Sequence, residues 1–103
     1  MKISISAPSN AEAQRSEESL ERLLRIAFTR YASSLRQIAL DLEVKACAGT
    51  SPSYRARLLV FVKGWPDLEI EEVQPRLELA IDRAIHRTDG MLRQYAREKA
   101  RRS

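Results

Sequence analysis

Three stretches in the middle of the chain decide its fold: residues 37–44 read QIALDLEV, residues 54–63 read YRARLLVFVK, and residues 68–73 read LEIEEV. In each stretch apolar residues alternate with polar ones, which is the pattern of a strand that buries one face. A small polar loop over residues 46–53 joins the first two stretches, and a tight reversal over residues 64–67 joins the last two. The pattern therefore predicts an antiparallel meander of three strands.

Elements of a different kind flank this meander. Residues 2–6, KISIS, alternate and predict a short first strand. From about Ala11 to Tyr31 the apolar residues recur every three or four positions, which predicts a helix. Beyond the meander, residues 76–102 predict a second amphipathic helix. The apolar stripe of the first helix consists of Leu20, Leu23, Leu24, Ala27, Phe28 and Tyr31.

The predicted order is strand, helix, three strands, helix, and each helix has one apolar stripe. The economical packing is an α+β two-layer sandwich of β-α-β-β-β-α order, with both helices on one face of a four-stranded sheet. We expect the core to contain Ile3, Leu23, Phe28, Leu40, Leu42, Leu58, Val60, Ile81, Ile85 and Leu92.

Size and composition narrow the class of protein. With 103 residues the chain has room for a single domain over 1–103, and we expect residues 97–103 to form a frayed basic tail. No apolar run approaches the ~20 residues that cross a membrane, and the mean hydropathy of −0.40 is that of a soluble protein. Cys47 is the only cysteine, so no internal disulfide can form, and we expect a cytoplasmic location.

The predicted last helix carries arginines on the side opposite its apolar stripe. At 100° per residue these arginines and Gln94 fall within about 80° of one another. Guanidinium groups match phosphate oxygens two bonds at a time, so this row predicts a nucleic-acid partner. A charged helix face is also the ordinary solvated surface of many proteins, and that alternative stays open. The row consists of Arg76, Arg83, Arg87, Arg97 and Arg101.

The side of the sheet without helices, the open sheet face, has its own predicted pattern. Arg55, Arg57 and Lys63 are expected to form cross-strand pairs with the acids of the neighbouring strands. Leu59 and Phe61 share this face by parity. They are either incidental surface residues or, together with Arg55 and Arg57, an interaction surface through which a homodimer forms.

The residues give no support for catalysis or for a cofactor. His86 is the only histidine, Cys47 is the only thiol, and the two belong to different predicted elements. A metal site needs three or four ligands of suitable type, which this chain supplies only as carboxylates. No glycine-rich loop that could cradle a phosphate is present, because the three glycines are isolated. We therefore expect no enzyme, no metal and no cofactor.

Over residues 1–5, 30–31, 38–44 and 79–95 the sequence resembles one known family, the ribosome hibernation promoting factors and ribosome-associated translation inhibitors. Residues 1–5 are similar to the family's first strand. Arg30-Tyr31 and residues 38–44 resemble the end of its first helix and its second strand. The best match lies in the last helix, where the family opens with an Ala-Ile-Asp-Lys-like run and then repeats basic residues. The matching positions here are Leu79, Ala80, Ile81, Asp82, Arg83, Ala84, Arg87, Leu92, Arg93 and Tyr95.

This resemblance implies a function and adds one residue to the candidate site. Family members bind the small ribosomal subunit and its RNA, where messenger and transfer RNA would lie, and hold the ribosome inactive under stress or in stationary phase. The chain resembles a short form, without the domain that pairs ribosomes. Arg93 matches a basic position of the family but lies about 80° off the arginine row. The chain departs from the family pattern at Arg76, Glu78, Thr88, Gly90 and Ala96.

Overall fold

The computed structural model describes residues 1–6, 17–45, 49 and 51–102. The predicted start of the first helix and half of the predicted 46–53 loop lie outside these residues. Four strands form one sheet in the order β1-β2-β3-β4. They are β1 (Lys2–Ser6), β2 (Leu35–Lys45), β3 (Ser53–Val62) and β4 (Leu68–Gln74).

The sheet is mixed. Strand β1 runs parallel to β2, with Ile3 opposite Ile38 and Ile5 opposite Leu40. The pairs β2–β3 and β3–β4 are antiparallel, which confirms the predicted meander. A parallel neighbour requires a long crossover connection, and the chain between β1 and β2 contains the first helix.

Two α-helices cover one face of this sheet. Helix α1 (Glu17–Ala27) packs against β1, and helix α2 (Leu77–Arg102) packs against β3 and β4. A 3-10 helix (Thr29–Ser34) leads from α1 into β2. The α+β two-layer sandwich with both helices on one face is thereby confirmed.

The core lies between the helices and the alternate strand residues that face them. Seven of the ten expected core residues are buried, and Ile3 and Ile85 are partly buried against the same cluster. A register shift at the start of β2 also places Leu35 in the core together with Ile38. The seven buried residues are Phe28, Leu40, Leu42, Leu58, Val60, Ile81 and Leu92.

The prediction that Leu23 lies in the core is wrong, because its side chain is 40% exposed. Leu20 and Leu24 point at the sheet and are buried, whereas Leu23 lies on the flank of α1 shared with the exposed Ile26. Helix α1 lies over the edge strand β1. No described residue buries that flank, so a residue at the margin of the stripe stays partly in solvent.

The first helix also ends earlier than predicted. Its α-helical part stops at Ala27, and Phe28 has φ −112° and ψ 14°, outside the α-helical region. The chain then tightens into the 3-10 helix, whose Tyr31 is buried as the stripe predicted. Tyr31 thus reaches the core from a separate short element.

The turn between β3 and β4 fixes one end of the molecule. Gly64 has φ +75°, a left-handed conformation that glycine adopts without strain. The Lys63 amide donates to the Ser34 carbonyl at 2.8 Å, which joins this turn to the 3-10 helix. The predicted reversal is confirmed, and it lies beside the last turns of α2 because the Tyr95 hydroxyl donates to the Pro66 carbonyl at 3.1 Å.

Candidate nucleic-acid interface

Helix α2 separates its residues onto two faces, as its sequence pattern predicted. Ala80, Ala84 and Thr88 are fully buried on the sheet, and the Thr88 hydroxyl donates to the Ala84 carbonyl at 2.8 Å. This bond satisfies a buried polar group inside the helix. The opposite face is polar and exposed, and it carries Arg83, Arg87, Arg93, Arg97 and Arg101, whereas the exposed Arg76 lies just before the helix, which begins at Leu77.

The arginine nearest the middle of the helix is bonded to the sheet. Arg87 Nη1 lies 2.5 Å from Oε2 of Glu72 and donates to the Glu71 carbonyl at 2.9 Å. The Glu72 side chain is only 16% exposed. Arg87 therefore ties α2 to β4, although the sequence predicts it as a free phosphate ligand.

The arginines further along α2 have a different setting. Arg93, Arg97 and Arg101 follow one another at intervals of four residues and line one shallow groove with Gly90, Gln94 and Glu98. Within the described part of the chain, neither Arg97 nor Arg101 forms an ion pair. Although Arg93 lies about 80° from the middle of the arginine row, it lines the same groove as Arg97 and Arg101.

Arg93 has a partner within its own helix. Its Nε and Nη2 donate to Oδ2 of Asp89 at 2.9 and 2.6 Å. The hydrogen bonds and the charge of Asp89 raise the pKa of Arg93 above its ordinary value. Arg93 therefore stays charged and is held along the helix surface, with the Tyr31 hydroxyl as a further polar neighbour.

The charge of α2 is concentrated in its second half. Residues 77–89, the first half of α2, contain two arginines and three acidic residues. Residues 90–102, the second half, contain five basic residues and one acid, so their net charge of +4 equals that of the whole chain. A concentrated positive charge on an exposed helix is the electrostatic footprint of a nucleic-acid-binding surface.

Gly90 stands at the junction of the two halves. A Cβ atom added there would meet nothing within 4 Å. No other backbone of the described residues packs closely against Gly90. Its missing side chain leaves open the groove that Arg93 and Arg97 line.

On the open sheet face, the predicted cross-strand pairs form for two of the three basic residues. Arg55 lies 2.6 Å from Glu43 and 3.7 Å from Glu71. Arg57 Nε lies 2.8 Å from Glu69, at an angle that makes no aligned hydrogen bond. Lys63 belongs to the turn after β3 and forms none of the ion pairs of the described residues, so its predicted place on this face is wrong.

Leu59 and Phe61 lie on the open sheet face as parity predicted. Both are half-buried, and their partners in β2 are Ala39 and Gln37. Because both helices pack on the other face, no described element covers these two side chains.

An aromatic cleft opens at the end of the sheet, between the 3-10 helix, the β3–β4 turn and α2. The Trp65 and Tyr95 rings meet edge to face, with centroids 4.0 Å apart and an interplanar angle of 63°. Burial, followed by the charges of Glu98 and Asp67, raises the pKa of the Tyr95 hydroxyl. The cleft is lined by Tyr31, Ser34, Val62, Lys63, Trp65, Leu92, Tyr95, Ala96 and Lys99.

The sequence pattern does not predict this cleft, because its residues come from segments far apart in the chain. Trp65 alone carries a signal, since a tryptophan in a turn can stack on a base, although the sequence favours the commoner role of covering the sheet edge. Nothing in the periodicity of the last helix places Lys99 beside Lys63. Their proximity is a result of the way α2 crosses the sheet.

Catalytic and metal-binding chemistry have little support among the described residues. His86 is exposed on α2, and Cys47 lies outside the described part. Among the residues that the structure describes, no three histidine, cysteine or acidic side chains cluster where they could hold a metal ion. Neither described α-helix combines the length and the apolar character that crossing a bilayer requires.

Comparison with known proteins adds a likeness of fold. No protein-family model matches the sequence, and no curated protein does. Among solved structures, a ribosomal subunit interface protein from Coxiella burnetii superposes with a TM-score of 0.68 at 12% identity. The alignment covers 93% of this chain and 98% of that one. At this identity the likeness concerns the fold: the chain shares the architecture of a ribosomal subunit interface protein over nearly its whole length.

Proposed function

We propose that this protein associates with the ribosome by binding the RNA of the small subunit through the second half of α2. The observation that carries the proposal is the net charge of +4 over residues 90–102, on an exposed helix face. The fold shared with a ribosomal subunit interface protein supports the ribosome as the source of that RNA.

The geometry of the groove suits a phosphate backbone. Side chains four residues apart on a helix stand about 6 Å from one another along its axis. Arg93, Arg97 and Arg101 therefore form a line of guanidinium groups, each able to bind a phosphate through two hydrogen bonds. Such contacts recognise the shape and charge of folded RNA and leave its base sequence unread.

The proposed consequence is inhibition of translation. A domain that occupies small-subunit RNA where messenger or transfer RNA would bind keeps the ribosome idle. We place this activity in the cytoplasm under stress or in stationary phase, as a hibernation factor that catalyses no reaction. Arg76 and Arg83 extend the positive surface toward the start of α2, in a region where acidic neighbours offset their charge.

Co-sedimentation with ribosomes at two salt concentrations tests the proposal. Binding should weaken steeply with salt, because each neutralised phosphate releases counterions. Arg97→Glu combined with Arg101→Glu should abolish co-sedimentation and leave the thermal melt unchanged, since both side chains are exposed.

The matched control is Lys2→Glu combined with Lys45→Glu. It makes the same change in net charge at exposed positions of the sheet. This variant should keep most of its binding. Equal losses in both double variants would show that only overall charge matters, and undiminished binding of the arginine variant would refute the proposed interface.

A second candidate function is self-association through the open sheet face. The observation in its favour is the pair Leu59 and Phe61, two neighbouring apolar side chains that no described element covers. Phe61→Glu should convert a dimer into a folded monomer in analytical ultracentrifugation. A wild-type protein that stays monomeric at high concentration would remove this candidate.

A further inference from the structure

We propose that the aromatic cleft binds one unpaired nucleotide of an RNA, with the base against Trp65 and the phosphate between Lys63 and Lys99. The proposal rests on the proposed RNA-binding function and adds a second contact to it. The arginine groove would hold the backbone of the RNA, and the cleft would hold a single extruded nucleotide.

The walls of the cleft suit a flat ring. Trp65, Tyr95 and Tyr31 contribute three aromatic side chains, and Leu92 and Val62 supply an apolar floor. The enclosed space is only about 50 Å³, well below that of a small-molecule site, so a base would lie across the open mouth of the cleft against Trp65. Unpaired bases stack on such side chains in single-stranded RNA recognition.

The position of Trp65 is already set before any ligand arrives. Its ring contacts Tyr95 edge to face at 4.0 Å. Tyr95 is in turn held by its hydrogen bond of 3.1 Å to the Pro66 carbonyl, in the same turn as Trp65. The aromatic wall is therefore already ordered in the free protein, and binding a base against it costs little further conformational entropy.

The charge of the cleft selects an anionic ligand. The chain has four lysines, and two of them, Lys63 and Lys99, line the cleft. Among the described residues no acidic side chain lines the cleft itself, and Asp67 and Glu98 lie outside its wall but near enough to act on Tyr95. A ligand with a flat ring and an adjacent negative charge would match both the aromatic walls and the two lysines. A nucleotide is such a ligand, because it combines a base with a phosphate.

The cleft and the arginine groove lie on opposite flanks of α2. At 100° per residue, Lys99 stands about 160° from Arg101 around the helix. From Ala96 to Arg101 no side chain of α2 is buried, so the last turns of the helix project beyond the sheet. An RNA fold that surrounds this projecting end contacts both flanks, which is why we commit to RNA as the source of the nucleotide.

Trp65 is the only tryptophan in the chain, so its fluorescence reports on the cleft alone. Addition of a short single-stranded RNA should quench the emission of the full-length protein. An oligonucleotide of the same length and charge without bases should leave the emission unchanged. Lys63→Gln combined with Lys99→Gln should weaken the quenching affinity at low salt by at least about tenfold, whereas Lys2→Gln combined with Lys45→Gln should not.

A second variant blocks the space instead of the charge. Ala96→Glu fills the cleft from an exposed helical position with an acidic side chain, and it should abolish the quenching while the melt stays unchanged. Persistent quenching in this variant would overturn the assignment of the cleft.

Further outcomes separate this proposal from the proposed function and from other ligands. RNA or ribosome binding without any change in Trp65 emission would overturn the cleft and leave the arginine groove standing. Base-dependent quenching without ribosome co-sedimentation would support the cleft and refute the ribosome as partner. Adenosine monophosphate that binds as tightly as the RNA would replace RNA by a free nucleotide, and tighter quenching by an acidic aromatic peptide would replace it by a protein.

Discussion

The two halves of α2 carry arginines at similar spacing, yet the structure gives them different surroundings. In the first half, over residues 77–89, the helix lies on the sheet, and Arg87 bonds to Glu72 and to the Glu71 carbonyl. In the second half, over residues 90–102, Leu92 is the last buried residue, and beyond it Arg97 and Arg101 face solvent in a region of net charge +4.

The difference shows that arginines in one row of a sequence can have two different roles in the structure. Arg87, where the helix passes beside β4, is bonded within the fold and stabilises the contact between the two elements. Arg97 and Arg101 form no ion pair among the described residues and stay available for a partner, while Arg93 pairs with Asp89 of its own helix. Leu92, the last buried residue of α2, separates the two cases.

The largest expected effect tests whether the first half of α2 belongs to the folding core. Ile81 in the first half is buried in the core cluster. Ile81→Ala should lower the free energy of unfolding by about 2–5 kcal/mol, measured by chemical denaturation. Met91→Ala, in the second half and 41% exposed, should cost at most about 1 kcal/mol. Equal losses would mean that both halves are equally integral to the core.

The next effect concerns the salt dependence of RNA binding. Arg97→Gln combined with Arg101→Gln should reduce the slope of log affinity against log salt by about 2, because each lost phosphate contact reduces it by about 1. Arg83→Gln in the first half should change the slope less, since Asp82 and Glu78 offset its charge. Fluorescence anisotropy with a labelled ribosomal RNA fragment measures both. A larger change for Arg83→Gln would reverse the assignment of the halves.

The third effect compares the stability contributions of Arg87 and Arg83, the two arginines of the first half of α2. Arg87→Ala removes the partner of the half-buried Glu72 and should lower the free energy of unfolding by about 1 kcal/mol, a modest cost because the guanidinium is 54% exposed. Arg83→Ala, without an ion pair among the described residues, should stay within about 0.5 kcal/mol of wild type. Thermal melts of the two variants at neutral pH make the comparison. Identical melts would show that the Arg87–Glu72 pair contributes nothing measurable.

Gly90 tests the junction between the halves. Gly90→Ala should raise the free energy of unfolding by about 1 kcal/mol, because glycine costs that much in a helix interior and the added Cβ meets open space. RNA affinity should stay close to wild type if the groove tolerates a methyl group. A loss of stability would contradict the exposed, unobstructed position of Gly90.

The smallest effect is a pH dependence at the aromatic cleft. Burial, with help from Glu98 and Asp67, raises the pKa of Tyr95 in the folded state. The contribution to stability is therefore fully present below the unfolded pKa of about 10 and is lost as pH rises through the folded value. Denaturation midpoints should fall more steeply above pH 10 for wild type than for Tyr95→Phe, which cannot ionise. Parallel curves would show that Tyr95 has no shift.

Much of the fold could be predicted from local pattern. The alternation in residues 37–44, 54–63 and 68–73 predicted three strands whose observed bounds differ by at most two residues. The pattern failed at Leu23 and at the end of the first helix, where the outcome depends on what lies beneath. A helix over an edge strand leaves one flank uncovered, and a period of three or four residues does not distinguish an α-helix from an α-helix followed by a 3-10 turn.

For the candidate site, the sequence by itself determined which residues share a face of α2 and how much charge each half carries, because a helix has a fixed period. Only the tertiary structure decided that Arg87 bonds to β4 and that Lys63 leaves the sheet face. It also brought Tyr31, Trp65 and Lys99 to one cleft. These contacts join residues far apart in the chain, and their formation depends on where α2 crosses the sheet and where the sheet ends.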